Sequence, residues 1–482
     1  MEQLKDKAKS GLFWNVFDTF FMKGILFVVQ LLLAKKLGPS AFGIIGMITL
    51  LINLGNLLID SGLGSSLIRT TDTDEMDYNT VFYTNVALAV FLYLTFYLLA
   101  PYFAAFYNEV TLTKIIRIYS LGFIISSLNL VQLALLNKQM AFKKIALLNF
   151  ISTLTGISIG LAMCYQGMGI WSLVYMYLGS QCSSAIVYYI FSNWRPRLMF
   201  SKIKFSYHIH FGYKLVCSGL IDIFFKNIYY VIIGRCFSVN MLGYYERANT
   251  YNQYPVSTLS GIIGTVSYPL LATIKNDPIK VSEVYRLIFK ASFFVTAPVM
   301  VMLAALAPEL FSFVLGSQWE AAVPFFQIIC LSSILYPLQV FNVNILKVYG
   351  QSHLFLKLEI LKKLFLIVIL ILSYPFGIYV FVASSIVNAV IGYLLNSHYC
   401  GKYIHYSTKE QFKDGIPTLA CCVALFIAIE IFKRIDFAFS QGSTIVLSLI
   451  VGGLVYIIAH HAYQSPIYQY LLKNYVSYNL KS

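Results

Sequence analysis

Apolar residues run through this chain in long stretches, each closed by a short cluster of polar or basic residues. A bilayer core takes roughly 20 mostly apolar residues per helix. On that rule the pattern predicts about fourteen spans, over residues 11–34, 41–60, 79–100, 115–136, 145–165, 170–191, 212–234, 250–273, 288–307, 320–346, 357–375, 376–397, 416–432 and 443–462. Very short breaks at Gln166–Gly169 and near Pro375–Gly377 predict two antiparallel helical hairpins. The expected fold class is all-α and integral to a membrane.

One segment is written twice. Ala34–Gly43 reads AKKLGPSAFG and Gly234–Gly243 reads GRCFSVNMLG. Each copy ends a long apolar run, has a basic residue second (Lys35, Arg235) and closes on glycine. Six predicted spans precede residue 200 and six more lie in 201–400. An even number per half makes two parallel repeats, related by an axis along the membrane normal, with a substrate path between them. The expected division is a six-helix lobe over 1–200, a second over 201–400, and two additional helices with a cytoplasmic tail over 401–482. The basic, aromatic stretch Asn193–Lys214 reads as an amphipathic linker on the membrane surface.

Polar residues in hydrocarbon are costly and usually face a cavity or a partner. At 100° per residue, Gly11, Asn15, Asp18, Thr19, Lys23 and Gln30 fall within about 140° of one helix face. Thr49, Asn53, Asn56 and Asp60 form a narrow stripe on the next span. Ser218, Asp222, Lys226 and Tyr229 form a third. Asn249, Gln253 and Ser257 form a fourth, interrupted by Pro255. The stripes fall on the first two helices of each half. Each fits a cavity lining or interhelical hydrogen bonding in a packed bundle. For Lys23 and for Asp222 with Lys226, one turn apart and able to pair, the cavity reading is favoured. Asp60 lies near a helix end, where interfacial solvation is the simpler reading.

Composition narrows the classes. The 482 residues are 59% hydrophobic and 11% charged, against about 25% charged in soluble domains. One large soluble protein is excluded. The net charge is +15. With the N-terminus in the cytoplasm, basic residues favour the cytoplasmic loops roughly threefold, and both termini face that side. The charge then needs anionic lipid as its partner, not nucleic acid. The eight cysteines lie mostly in apolar runs without metal-ligand spacing, and read as reduced, small apolar residues. No metal or other cofactor is expected.

Several stretches then carry a family likeness. LAKKLGPSAFGIIGMI, DSGLGSSLIR (Asp60–Arg69) and DYNTVFYTN (Asp77–Asn85), followed by LGYYERANTYNQYPVS (Leu242–Ser257) and SYPLLATIKND (Ser267–Asp277), occur in order. Together they resemble the polysaccharide-exporter family of the MOP superfamily, in particular its O-antigen and colanic-acid type flippases. The resemblance implies two six-helix lobes forming a V-shaped alternating-access transporter. It implies movement of undecaprenyl-diphosphate oligosaccharide across a bacterial inner membrane for O-antigen, capsule or exopolysaccharide, driven by an ion gradient. It also implies a polysaccharide polymerase and a chain-length regulator as partners, and no catalysis. By helix position, Lys23 and Lys226 become the diphosphate ligands, with Asp222, Asn53, Asn56 and Asn249 beside them. Asp222, Asp60 and Asp18 become the ion-coupling candidates.

Two other readings stay open at this point. A cation-coupled multidrug exporter of the same superfamily predicts a more acidic cavity. A membrane polysaccharide polymerase or ligase predicts a large outside loop carrying Arg or His.

Overall fold

The structure is a computed structural model. It describes the backbone of residues 2–60, 62–435 and 440–479, with the side chains of 2–20, 214–215, 262, 265–266, 268 and 474–479 excepted. Among the described residues the chain is helical, with no strand. It divides into two compact units, Met1–Glu246 and Arg247–Ser482.

The first unit holds α1 (Glu2–Asp60), α2 (Leu63–Arg69), α3 (Glu75–Tyr107), α4 (Thr111–Tyr119), α5 (Leu121–Ser127), α6 (Leu130–Lys138), α7 (Phe142–Tyr165), α8 (Trp171–Phe191), α9 (Lys202–Lys226), α10 (Ile228–Cys236) and the start of α11 (Val239–Ile274). The second holds the rest of α11, then α12 (Pro278–Ala305), α13 (Ala307–Leu315), a 3-10 turn (Ser317–Ala322), α14 (Val323–Ser333), α15 (Tyr336–Val348), α16 (Ser352–Ser373), α17 (Ile378–Ile404), α18 (Thr408–Arg434), α19 (Gln441–Ala462) and α20 (Pro466–Asn479).

Among the described residues, eight helical stretches are long and apolar enough to span a membrane, or ten if each of two bent pairs counts as one span. That measure does not establish the expected fourteen. Part of the difference is α1. At 1.5 Å per residue it would run roughly 90 Å if straight, about three bilayer cores. It does not run straight, because Gly38 (φ 74°, ψ 176°) breaks it into two arms, 2–37 and 39–60. Glycine reaches that left-handed φ without a Cβ clash, and Pro39 starts the second arm with a preset φ and no N–H to satisfy. The expected spans 170–191 and 357–375 are met by the helices α8 and α16. The first holds Gln181 and four serines, the second Lys357, Glu359, Lys362 and Lys363, which makes both too polar to count on composition alone.

The written repeat proves to be a contact. Both copies lie in the first unit and meet each other. A Cβ on Gly43 would overlap the carbonyl oxygen of Val239, and a Cβ on Gly243 would overlap that of Pro39. The tenth residue of each copy therefore packs on the sixth of the other, in both directions. Only glycine allows the backbones so close.

The stretch 193–214 is not one element. Residues 193–201 are non-helical, and α9 begins at Lys202. The first part is strapped to the start of α3. Trp194 packs its ring on Phe82 and Tyr78. The Arg197 N–H donates to Asn79 Oδ1 at 2.5 Å, and the Ser201 N–H to Thr80 Oγ1 at 3.1 Å. In the second unit the core is aromatic: Tyr285 stacks on Phe341, and the edges of Tyr285 and Phe289 meet Tyr406.

Candidate functional site

The end of α9 and the second arm of α1 form one polar seam. Lys226 Nζ and Asp222 Oδ2 are 2.7 Å apart, with side chains 68% and 47% exposed. The helix stops one residue later, at Asn227, and turns 44° into α10. Asn227 Nδ2 donates back to the Ile223 carbonyl at 2.8 Å. Its Oδ1 accepts from Asn53 Nδ2 at 3.2 Å. One turn from Asn53, Leu57 fills the space left by Gly219 of α9. The small residue lets the two helices close, and the closure brings Asn53 to the residue beside Lys226.

Three of the expected residues, Asn53, Asp222 and Lys226, are therefore brought together. Asn56 and Asp60 lie exposed on the same arm of α1. Lys23, on the first arm, is half-buried and makes no hydrogen bond or ion pair to this seam among the described residues. Asn249 is half-buried on α11 within the second unit. Asp18 lies on α1, and its side chain is outside the described residues.

A second polar cluster in the first unit was not picked out from the sequence. Asp77, near the start of α3, is buried, with its side chain 2% exposed. Its Oδ2 pairs with Lys204 Nζ at 2.8 Å, and its Oδ1 accepts from His208 Nε2 at 3.0 Å. Lys204 and His208 are one turn apart on α9, so one helix face supplies both cations or donors. Asp74 caps α3 in a capping box with Asp77 and also reaches Lys204, at 3.4 Å. On the other side of the imidazole, His208 Nδ1 and Ser66 Oγ are 2.7 Å apart. An ionised carboxylate only accepts, so Nε2 carries the proton and, in the neutral ring, Nδ1 accepts from Ser66.

Ser, His and Asp in a row are the residue types of a hydrolase relay. Here the carboxylate's second oxygen is clamped by Lys204, and Ser66 is buried. The arrangement acts as a clamp that ties α2, α3 and α9 together. The visible signals were the motif Asp77–Asn85 and the basic pair Lys204/His208 at i, i+4.

Residues 32–324 match the family described as "Polysaccharide biosynthesis protein". The chain is similar to the lipopolysaccharide biosynthesis protein WzxC of Escherichia coli (strain K12), 23% identical over 440 residues, 89% of each chain. It is similar to the succinoglycan biosynthesis transport protein ExoT of Rhizobium meliloti (strain 1021), 26% identical over 340 residues, 70% of this chain and 69% of that one. The teichuronic acid biosynthesis protein TuaB of Bacillus subtilis (strain 168) is 23% identical over 356 residues, 73% of this chain and 74% of that one. Among solved structures, the lipid II flippase MurJ in an inward closed conformation is similar at a TM-score of 0.76 and 15% identity, over 96% of this chain and 100% of that one. An inward-facing multidrug resistance MATE family transporter of the MOP superfamily reaches 0.58 at 16% identity, over 79% and 95%. At such identities these two likenesses speak for the fold: an all-α, multi-pass membrane protein.

Proposed function

The chain belongs to the polysaccharide biosynthesis protein family, and from that premise we propose that it is a flippase for undecaprenyl-diphosphate-linked oligosaccharide. The observation that carries this is the family match over residues 32–324, which runs through Asn53, Asp222 and Lys226. Its relatives are named for lipopolysaccharide, succinoglycan and teichuronic acid biosynthesis, and the succinoglycan relative is named a transport protein.

The physical task is a charge problem. A diphosphate cannot cross hydrocarbon bare, because burying an unpaired charge is prohibitive. A lysine in a wet cavity is a point-charge partner for it. Without substrate, Lys226 is neutralised by Asp222 one turn away. The incoming diphosphate takes over Lys226, and Asp222 is released to hold a proton or another cation. That exchange links lipid translocation to an ion gradient without ATP. Asn53 and Asn56 offer amides to sugar hydroxyls on the same seam; Lys23, on the first arm of α1, and Asn249, on α11 in the second unit, are further substrate-binding candidates. Asp60 and Asp18 are further carboxylates for the coupling ion. In this reading two six-helix lobes, 1–200 and 201–400, rock about the cavity, and 401–482 adds two helices. The protein lies in the bacterial inner membrane with both termini cytoplasmic, and hands its product to a polymerase and a chain-length regulator.

The test is genetic. A strain without this protein, and without a second flippase, should lose surface glycan and accumulate lipid-linked repeat units inside. Lys226→Ala at matched protein level should not rescue. Unchanged surface glycan and unchanged lipid-linked intermediates in the deletion strain would sink the reading. Full rescue by Lys226→Ala would remove the cavity assignment alone.

A further inference from the structure

A pocket of about 730 Å³ opens where α2 ends and α9 begins, lined among others by Arg69, Lys202, Ile203, Tyr207, His210 and Phe211. Its size is that of small-molecule sites, roughly 300–1,000 Å³. Its buried wall is the clamp: Ser66 lines the pocket and is held from behind by His208 and Asp77.

The charges in the wall and at the mouth are balanced differently. In the wall, Lys204 is matched by Asp77 and Asp74. At the mouth, Arg69 and Lys202 are exposed and make no ion pair among the described residues. Arg69 Cζ stands over the Phe211 ring, 4.7 Å from its centroid, a cation–π contact that does not consume the guanidinium's N–H donors. His210 and the Tyr207 hydroxyl add polar groups on the same side. Among the described residues, those that line the pocket therefore present cations and donors and include no carboxylate.

Its flank is apolar and uncovered. Ile203 is 82% exposed, and Leu198 on the adjoining strap is 93% exposed. Phe200, on the same strap, and Ile68, next to Arg69 in the chain, are exposed too. Two free cations next to bare aliphatic and aromatic groups, at the end of membrane-spanning helices, match an anionic headgroup attached to an apolar chain. A soluble anion would use the cations and leave the flank wet.

We infer that this pocket binds the phosphate of a lipid, with Arg69 and Lys202 on the headgroup and the chain laid over Ile203 and Leu198. The lipid is either a bilayer phospholipid or the diphosphate-linked lipid itself, since both offer a phosphate ester on a hydrocarbon tail. This is a second lipid site, separate in its residues from Asn53, Asp222 and Lys226. Its diphosphate-linked form rests on the flippase reading, whereas its phospholipid form requires only that the chain is a membrane protein, so the site can stand where the transport reading fails.

The test uses the full chain, purified in detergent and observed by native mass spectrometry while undecaprenyl diphosphate, phosphatidylglycerol or inorganic diphosphate is titrated in. Loss of two charge-assisted contacts at a partly screened mouth should weaken retention about tenfold. The expected result is that Arg69→Gln with Lys202→Gln loses that much of at least one lipid. Arg69→Lys with Lys202→Arg, which keeps charge and fold, should retain it. Selective loss of undecaprenyl diphosphate would assign the site to the diphosphate-linked lipid, and selective loss of phosphatidylglycerol to the bilayer. Equal retention of both lipids by wild type and the neutral double variant would overturn the inference. So would an equal loss in Lys280→Gln with Lys413→Gln, which removes the same charge from the second unit. Inorganic diphosphate binding wild type as tightly as either lipid would also overturn it, by removing the role of the chain.

Discussion

Each unit contains one carboxylate gripped by two basic residues spaced i, i+4 on another helix, and the two grips are built with opposite polarity. In the first unit the acid, Asp77, is on the earlier helix α3, and Lys204 and His208 are on the later helix α9. In the second the basic pair, Arg286 and Lys290, is on the earlier helix α12, and the acid, Asp414, is on the later helix α18. Arg286 donates to Asp414 through Nε at 2.5 Å and Nη2 at 2.9 Å. Lys290 stands at 3.1 Å, and the Tyr406 hydroxyl donates at 2.7 Å. The same mechanical need, two helix starts locked side by side, is met by either arrangement of sign.

The difference is what surrounds the carboxylate. Asp414 meets the aromatic cluster through the Tyr406 hydroxyl, and Arg286 and Lys290 both pair with it. Asp77 is more deeply buried, 2% exposed against 10%, and its network ends at a pocket whose mouth carries further cations. The second clamp is a lock only. The first is a lock that also forms the wall of a site.

The largest expected effect breaks the first clamp. Asp77→Asn leaves Lys204 without its buried partner, and removing one member of such a pair costs roughly 3–5 kcal/mol. A thermal melt of the purified protein should show it as the largest loss among the clamp variants. Asp414→Asn should cost less, about 1–3 kcal/mol, because Asp414 itself is less buried than Asp77 and Arg286, 49% exposed, can be resolvated, while Lys290, 17% exposed, accounts for most of the loss. If Asp414→Asn proved the more damaging in the same melt, the ranking by burial would be wrong. Next comes His208→Gln. Glutamine cannot bridge Ser66 and Asp77 at once with the ring's geometry, so one buried hydrogen bond is lost, about 1–2 kcal/mol. A double-mutant cycle with Ser66→Ala would sharpen this, since the two losses should overlap and not add. The smallest effect is Arg286→Lys, which keeps the charge and loses the two-pronged contact, about 1 kcal/mol or less.

The apolar runs made the helical class and the helix positions legible, and the Gly38–Pro39 pair marked the corner in α1. The doubled segment was visible as a pattern. That its two copies touch was not, because the contact is between backbones and depends on glycine being absent of side chain at Gly43 and Gly243. Asp222 and Lys226 were legible as a pair because they are four residues apart on one helix. Asp77 opens the stretch DYNTVFYTN, yet its partners lie 127 and 131 residues away. A hydropathy pattern carries no information on such distances. Lys204 and His208 fall within the stretch 193–214 that reads as an amphipathic surface linker, and only the fold turns them inward. The span count was the least legible feature, because helices that bury serines or carry lysines look unlike lipid-facing ones.

Lipid translocation by the purified protein tests the central claim most directly. Wild-type protein and Lys226→Gln would be reconstituted into liposomes with fluorescent undecaprenyl-diphosphate-linked oligosaccharide under an imposed ion gradient, with the label in the outer leaflet quenched chemically at intervals. The account predicts that wild type moves the lipid between leaflets faster than protein-free liposomes, and that Lys226→Gln, folded and inserted to the same extent, does not. Wild type indistinguishable from empty liposomes under every gradient tried would contradict the flippase reading, and a fully active Lys226→Gln would contradict the role of its ammonium.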